Sequence, residues 1–406
     1  MGIPAHLQTF EPTYQAALQR LDAIHPANYA RTRNALDGAV TGLSPYLTHG
    51  ILSMTDAARN ISQRHPLQFE DKLVFEFGWR EFFHHVWSRA ADGGDAILQD
   101  MHGQWPWHGT YAAVLPPDIR EGRTGVPAID NAVRILYATG YLHNHARMYL
   151  ASYVVHLRKV HWRVGADWLY GHLLDGDLPS NHLSWQWVAG TFSSKPYLFN
   201  AENVLKYAPT NARQAWDSSG TVIDQSYEAL DAIARNRANV GPEPGVHEKV
   251  LEPTLLGHFS VSFMPVAQSI PAQTAINNIA NKKLELVHPW SMSQRIGDDT
   301  LRIGIIHLPA HAAWPWSERR WRFVLDAMAQ VTDSIWVGDI PELNTSAATV
   351  ITAQATLFPG YREALPCVAS LLDAPRLLPN PAMACRSFSK FYERARRGVP
   401  QLADLL

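Results

Sequence analysis

The stretch Leu173–Thr191, "LLDGDLPSNHLSWQWVAGT", decides how this chain reads. Asp175 and Asp177 stand one residue apart in an apolar run, Asn181 follows, and Trp185 and Trp187 flank a single glutamine. Acid chemistry alone does not need two tryptophans, and a plain core does not keep two aspartates. The grouping suits a pocket for something planar with polar edges, with the indoles available for electron transfer.

Composition sets the bounds. A chain of 406 residues is long enough for two domains with their own cores. Its 46% apolar and 18% charged residues are those of a globular protein. No run of about twenty apolar residues is present, so no membrane span is expected. The N-terminus has no basic region leading into an apolar run, and His6 stands where N-myristoylation requires Ser or Thr. A cytoplasmic protein is expected. Cys367 and Cys385 are too few for a disulfide framework or a sulfur-ligated cluster, and no metal site is expected. The formal charge of −2 lacks the basicity with which nucleic-acid binders neutralise phosphate, so any such binding needs a local patch.

Periodicity divides the chain. From about residue 8 to 207, runs such as "FEDKLVFEFGWREFFHHVWSRA", "AIDNAVRILYATG" and "HARMYLASYVVHLRKV" repeat apolar residues every three or four positions, the pattern of helices. Residues 1–207 are therefore expected to form a helical domain, 208–250 an extension and linker ending in "VGPEPGV", and 251–406 a small α/β domain. In the last part "TLRIGIIHL", "DSIWVGD" and "ATVITAQ" predict strands, and "PRLLPNP" a short further one. "WSERRWRFVLDAMAQV" predicts a helix capped by Ser317, and "SFSKFYERARRG" another, stopped by glycine. Alternating strand and helix implies a parallel sheet.

The stretches able to carry chemistry lie in the helical part. In "GYLHNHARMYLASYVV", Asn144 and Arg147 share a helix face, and Arg147 can pair with Asp175. For that pair alone, a structural ion pair between two helices is the plainer reading. "FEFGWREFF" puts Glu76, Trp79, Arg80 and Phe83 on one helical face, which in isolation reads as an amphipathic core helix. "TGLSPYLTHGILS" is a loop entering a helix whose backbone N–H groups suit phosphate, though such loops cap helices everywhere. There is no Walker A pattern, Rossmann glycine fingerprint, H-E-x-x-H or G-x-S-x-G.

In their order, "TGLSPYLTHGILS", "FEFGWREFF", "GRTGVPAIDNAVRILYATGYLHNHARMYLASYVV" and "LLDGDLPSNHLSWQWVAGT" resemble the FAD-binding helical domain of the photolyase/cryptochrome family, over roughly residues 25–200. The resemblance implies FAD in a helical bundle. Tyr29 and the loop Thr41, Gly42, Leu43 and Ser44 would hold its phosphates and ribityl chain. Asn144, Arg147, Asp175, Asp177 and Asn181 would surround the isoalloxazine and adenine. Asn181 matches the position beside flavin N5, where the family's plant cryptochromes carry aspartate and its photolyases a neutral amide. Trp185 and Trp162 match the first two stations of an electron-hopping chain. The third aligned position is Gly109, which cannot carry an electron, so Trp107 or Trp105 is expected to replace it.

Glu76, Trp79, Arg80, Asn144, Met148 and Trp187 match positions lining the pocket for a flipped pyrimidine dimer. Asn144 and Met148 stand where (6-4) photolyases have histidines, which implies cyclobutane dimers as substrate. The implied function is a deoxyribodipyrimidine photolyase-like lyase that repairs such dimers in damaged DNA by an electron from light-excited reduced FAD. A blue-light photoreceptor working through a signalling partner is the alternative, and a light-independent flavin- or DNA-binding scaffold a third. The family usually begins with an α/β domain that often holds an antenna pigment; here the helical pattern starts almost at Met1. "WSERRWRFVLDAMAQV…SIWVGD" resembles a helix–strand unit of that domain, as a relocated short copy or an unrelated accessory domain.

Overall fold

A computed structural model describes residues 4–91, 111–235, 240–241, 247–259, 263, 283–295, 300–345, 348 and 350–406. The chain forms two compact units that alternate along the sequence. One takes Met1–Thr9, Ala27–Val40 and Val86–Pro253; the other takes Phe10–Pro26, Thr41–His85 and Thr254–Leu406. The division falls inside the long helix α1 (Lys72–Ala91), between His85 and Val86.

The first unit is helical, and each helix near the candidate site has a local cause. Helix α2 (Pro127–Thr139) starts on a proline, whose fixed φ suits a first helical position, and stops at Gly140, in left-handed conformation at φ +68°. Helix α3 (Asn144–Ser152) is capped by His143, whose Nδ1 accepts the His145 N–H at 3.1 Å, and runs on into a π-helical turn, Tyr153–Leu157. Helix α4 (Trp162–His172) is capped in the same way by His161. Helix α5 (Leu178–Ala189) starts on Asp177, whose carboxylate accepts the Ser180 N–H at 3.1 Å, and ends at Gly190, φ +83°. One hydrophobic core gathers α2 to α5, with Tyr149, Tyr153, Trp162, Trp185 and Trp216 buried in it. Inside the same unit Arg158 and Asp118 form a two-pronged ion pair, at 2.5 and 3.1 Å, where neither side chain meets much water.

The second unit holds the sheet. Strands β1 (Lys283–Val287), β2 (Thr300–His307), β3 (Ser334–Gly338), β4 (Val350–Gln354) and β5 (Ser370–Leu372) lie in the order β3-β2-β1-β4-β5, every pair parallel. Helix α6 (Glu318–Val331) is capped by Ser317 as the sequence predicts, and α7 (Phe388–Ala395) lies where the C-terminal periodicity put it. The protein is thus mainly helical with a small parallel α/β part. Two strands differ from expectation. "PRLLPNP" is not a strand: Pro375, Pro379 and Pro381 cannot donate to a ladder, and the Leu377 and Leu378 N–H groups bond to the Glu81 carboxylate instead, at 2.7 and 3.1 Å. The outer strand is the neighbouring Ser370–Leu372. The middle strand β1 was not anticipated. No helix among the described residues is long and apolar enough to cross a membrane.

Candidate functional site

The helical unit brings together most of the residues singled out. Leu174 N–H donates to Gly140 O at 2.8 Å, which fastens the turn after α4 to the end of α2 and sets Asp175 beside α3. Arg147 reaches it from α3, Nη2 to Oδ2 at 2.7 Å, while its Nε donates to Leu142 O at 2.7 Å. The Asp175 side chain is 3% exposed and that of Arg147 24%, so the guanidinium keeps contact with solvent while the carboxylate is enclosed. The guanidinium offsets part of the desolvation that enclosing such a carboxylate costs. Two residues on, Asp177 caps α5 and also accepts the Ser180 hydroxyl. Asn181, one turn into α5, gives its amide N–H to Ala166 O at 2.8 Å, which fixes how its carboxamide faces.

His143 and His145 stand on either side of exposed Asn144. Burial, with the charges of His145 and Arg147 adding, pushes His143 down to about 3; burial and then Arg33 push His145 down to about 4. Both are therefore neutral rings at pH 7. His143 can then accept the helix-capping bond, and Arg147 remains the charged partner of Asp175. The Asn144 amide also reaches Met148 Sδ, at 3.4 Å on the next turn.

Two tryptophans share this core. Trp162 opens α4, and the Trp185 indole of α5 lies over Gly165, one turn further along α4; a Cβ at Gly165 would collide with the ring. The His182 ring meets the edge of Trp162 at 6.1 Å and of Trp87 at 5.9 Å, and is held by Asp167 Oδ1 at 2.8 Å. Trp187 is half-buried against Tyr197, at 5.9 Å between ring centres. Tyr29 is half-buried on the helix Pro26–Thr32. Trp107, with Trp105, lies outside the described residues.

The remaining predicted residues belong to the second unit. Thr41 Oγ1 accepts the Leu43 N–H at 3.3 Å, Gly42 takes φ +61°, and Ser44 opens the helix Ser44–Thr48. Glu76 is exposed, and Trp79 and Arg80 half-buried, on α1. Sequence reasoning missed the histidine caps, His182 and Gly165. The signal for the last was legible, since a glycine inside a helical pattern usually marks a close approach.

In chemical terms the first unit offers acceptors from Asp175 and Asp177, donors from Arg147 and Asn144, a fixed neutral amide from Asn181, and indole rings alongside. That set fits the edge of a flavin, which alternates carbonyl acceptors with an N–H donor. Residues 73–244 match the family model of the FAD binding domain of DNA photolyase. Among relatives, the deoxyribodipyrimidine photo-lyase of Thermus thermophilus is 37% identical over 228 residues, covering 55% of this chain and 54% of that protein. The photo-lyase of a Synechococcus strain is 31% identical over 226 residues, 52% of this chain and 45% of its own. The cryptochrome DASH of Oryza sativa is 30% identical over 222 residues, 52% and 36% respectively. The matched part of this chain is similar to the FAD-binding domain of photolyases and cryptochromes, and FAD is the cofactor that this match supports. The chain spans about half the length of the curated relatives it matches, or less.

Proposed function

We propose that the protein repairs cyclobutane pyrimidine dimers in DNA, using FAD held through Arg147, Asp175, Asp177 and Asn181, with Tyr29 of the same unit towards its phosphates. Bound there, FAD supplies light-driven one-electron chemistry. The Arg147–Asp175 pair carries this reading, because it fixes a charged acceptor and a donor side by side in a nearly dry site. Asp177 would accept the ring's N–H, Arg147 paired with Asp175 would lie along its polar edge, and Asn181 would present an uncharged amide. Trp185 and Trp162 give electrons a path through the core. For the substrate we propose stacking on Trp187 in the first unit; in the second unit, Trp79 is proposed to stack on a flipped base and Glu76 to accept a hydrogen bond from its edge. Asn144 and Met148 in the first unit and Arg80 in the second are proposed as further substrate contacts. The test is a dimer-containing oligonucleotide incubated with the flavin-loaded protein in light and in darkness: restored thymines only in light support repair.

A photoreceptor is the second reading, favoured by the near-neutral charge, which supplies little general attraction to phosphate. Flavin photochemistry without any loss of dimers would favour it.

A further inference from the structure

Inside the second unit, the C-terminal segment is built onto the helix face that carries Trp79. Phe75, Gly78, Trp79, Phe82 and His85 recur along α1 at three- and four-residue spacing, and each meets residues from beyond position 375. The Trp79 indole stacks nearly parallel on Phe388, the first residue of α7, at 4.2 Å and 7°. Phe75 packs against Tyr392 at 4.8 Å, and Phe82 against Phe391 at 5.7 Å. Gly78 makes room for this, since a Cβ there would lie 2.7 Å from the Tyr392 ring and 3.3 Å from that of Phe388. Polar groups lock the same contact. Glu81 accepts the Leu377 and Leu378 N–H groups and Arg376 at 3.3 Å, and His85 Nε2 accepts the Cys385 N–H at 3.0 Å while its Nδ1 meets Asn380 Oδ1 at 2.7 Å. The Tyr392 hydroxyl donates to Phe69 O at 2.6 Å.

We propose that Phe388 is a positioning residue for the substrate side: stacked on the Trp79 indole, which Phe82 and Phe83 also flank at 5.7 and 5.5 Å, it fixes the plane in which that ring meets a flipped base. The proposal rests on the reading of Trp79 as a substrate-stacking residue. A ring held on one side by a parallel neighbour has lost most of its rotational freedom before any base arrives, so less is lost on binding. Phe388 lies outside the 73–244 span that matches the FAD binding domain model.

The experiment is a binding cycle on the flavin-loaded full chain, with thymine-dimer and undamaged oligonucleotides at one salt concentration. Phe388→Leu keeps most of the side-chain volume but offers no flat face. It is expected to weaken dimer binding roughly two- to tenfold, the worth of an aromatic pair, and to leave undamaged binding unchanged. Phe388→Tyr is expected to restore wild-type affinity. Because Phe388 acts through Trp79, the double variant Trp79→Ala/Phe388→Leu should bind no worse than Trp79→Ala alone. Losses that add, Phe388→Tyr failing to rescue, or Phe388→Leu binding the dimer as wild type does overturn the positioning role while leaving the repair reading intact. A wild type with no preference for the dimer overturns both, and is recognised before any variant is compared.

Discussion

The Trp185 indole lies against Gly165 so closely that no other residue fits beneath it. This contact joins α4 to α5 and holds Trp185 one helical turn from Trp162, the other tryptophan given an electron-transfer role. Gly165→Ala gains helix propensity worth about 1 kcal/mol, yet must push a buried indole aside, and overpacking a core costs about 1–3 kcal/mol. The expected result is a lower melting temperature and slower light-driven reduction of the bound flavin by an external donor. Trp185→Phe should slow that reduction with little loss of stability. Unchanged kinetics in Trp185→Phe would show that electrons take another route.

The Arg147–Asp175 pair gives the second prediction. In Arg147→Ala the enclosed Asp175 carboxylate loses its guanidinium, and removing one partner of a buried pair costs about 3–5 kcal/mol. Arg147 is part-exposed, so the lower end applies. Flavin content measured by absorbance after purification should fall. Arg147→Lys keeps the charge but not the second bond to Leu142 O, and should retain an intermediate amount.

Much of this was legible in the sequence, for identifiable reasons. Arg147, Trp162 and Trp185 sit in runs that read as helices, and Asp175 lies in the turn between two of them, so their neighbourhood followed from the order of the motifs and the resemblance those motifs carry. The Ser317 cap and the strands at Thr300–His307 and Ser334–Gly338 were marked by local chemistry. Lys283–Val287 was not, although it is the middle strand of the sheet. Its five residues alternate only twice, with Leu284 and Leu286 buried on either side of Glu285 before buried Val287, and the pairing that makes it a strand comes from residues 300–304 and 350–353. "PRLLPNP" misled because its leucines look like strand residues. They are buried, but the donors beside them answer a carboxylate nearly 300 positions earlier in the chain, Glu81, which burial pushes above the usual range. Short motifs cannot announce such distant partners.

The third prediction concerns acid. His143 is folded with its ring neutral, down at about 3, whereas an unfolded histidine titrates near 6.5. Its folded value is the lower one, so its contribution is intact above pH 6.5 and is lost as pH falls from there towards 3. By pH 5 the loss is about 2 kcal/mol for this one residue. His143→Asn keeps a helix-capping acceptor that does not titrate in this range. Melting temperatures at pH 7, 6 and 5 should therefore fall less steeply in the variant. His145 and His156, both pushed down to about 4, keep the remaining slope in both proteins. Parallel slopes would show that His143 is not protonated on acid unfolding.

The last prediction separates substrate contact from flavin binding. Trp187 is half-buried beside Tyr197, so its indole has both a packed side and a surface that a base can reach. If that surface stacks on a flipped dimer, Trp187→Ala should weaken binding of a thymine-dimer oligonucleotide by several-fold to about a hundredfold, since base–aromatic stacking is worth about 1–3 kcal/mol. Flavin content should stay near normal, because Arg147, Asp175, Asp177 and Asn181 are untouched. Undamaged DNA offers no flipped base and binds through its phosphates, so its affinity should change much less. The two effects are read from titrations of damaged and undamaged strands at a single ionic strength. Equal weakening on both strands would mean that Trp187 supports the surface in general. Loss of flavin together with loss of dimer binding would place its role in the core, against Tyr197, instead of at the substrate.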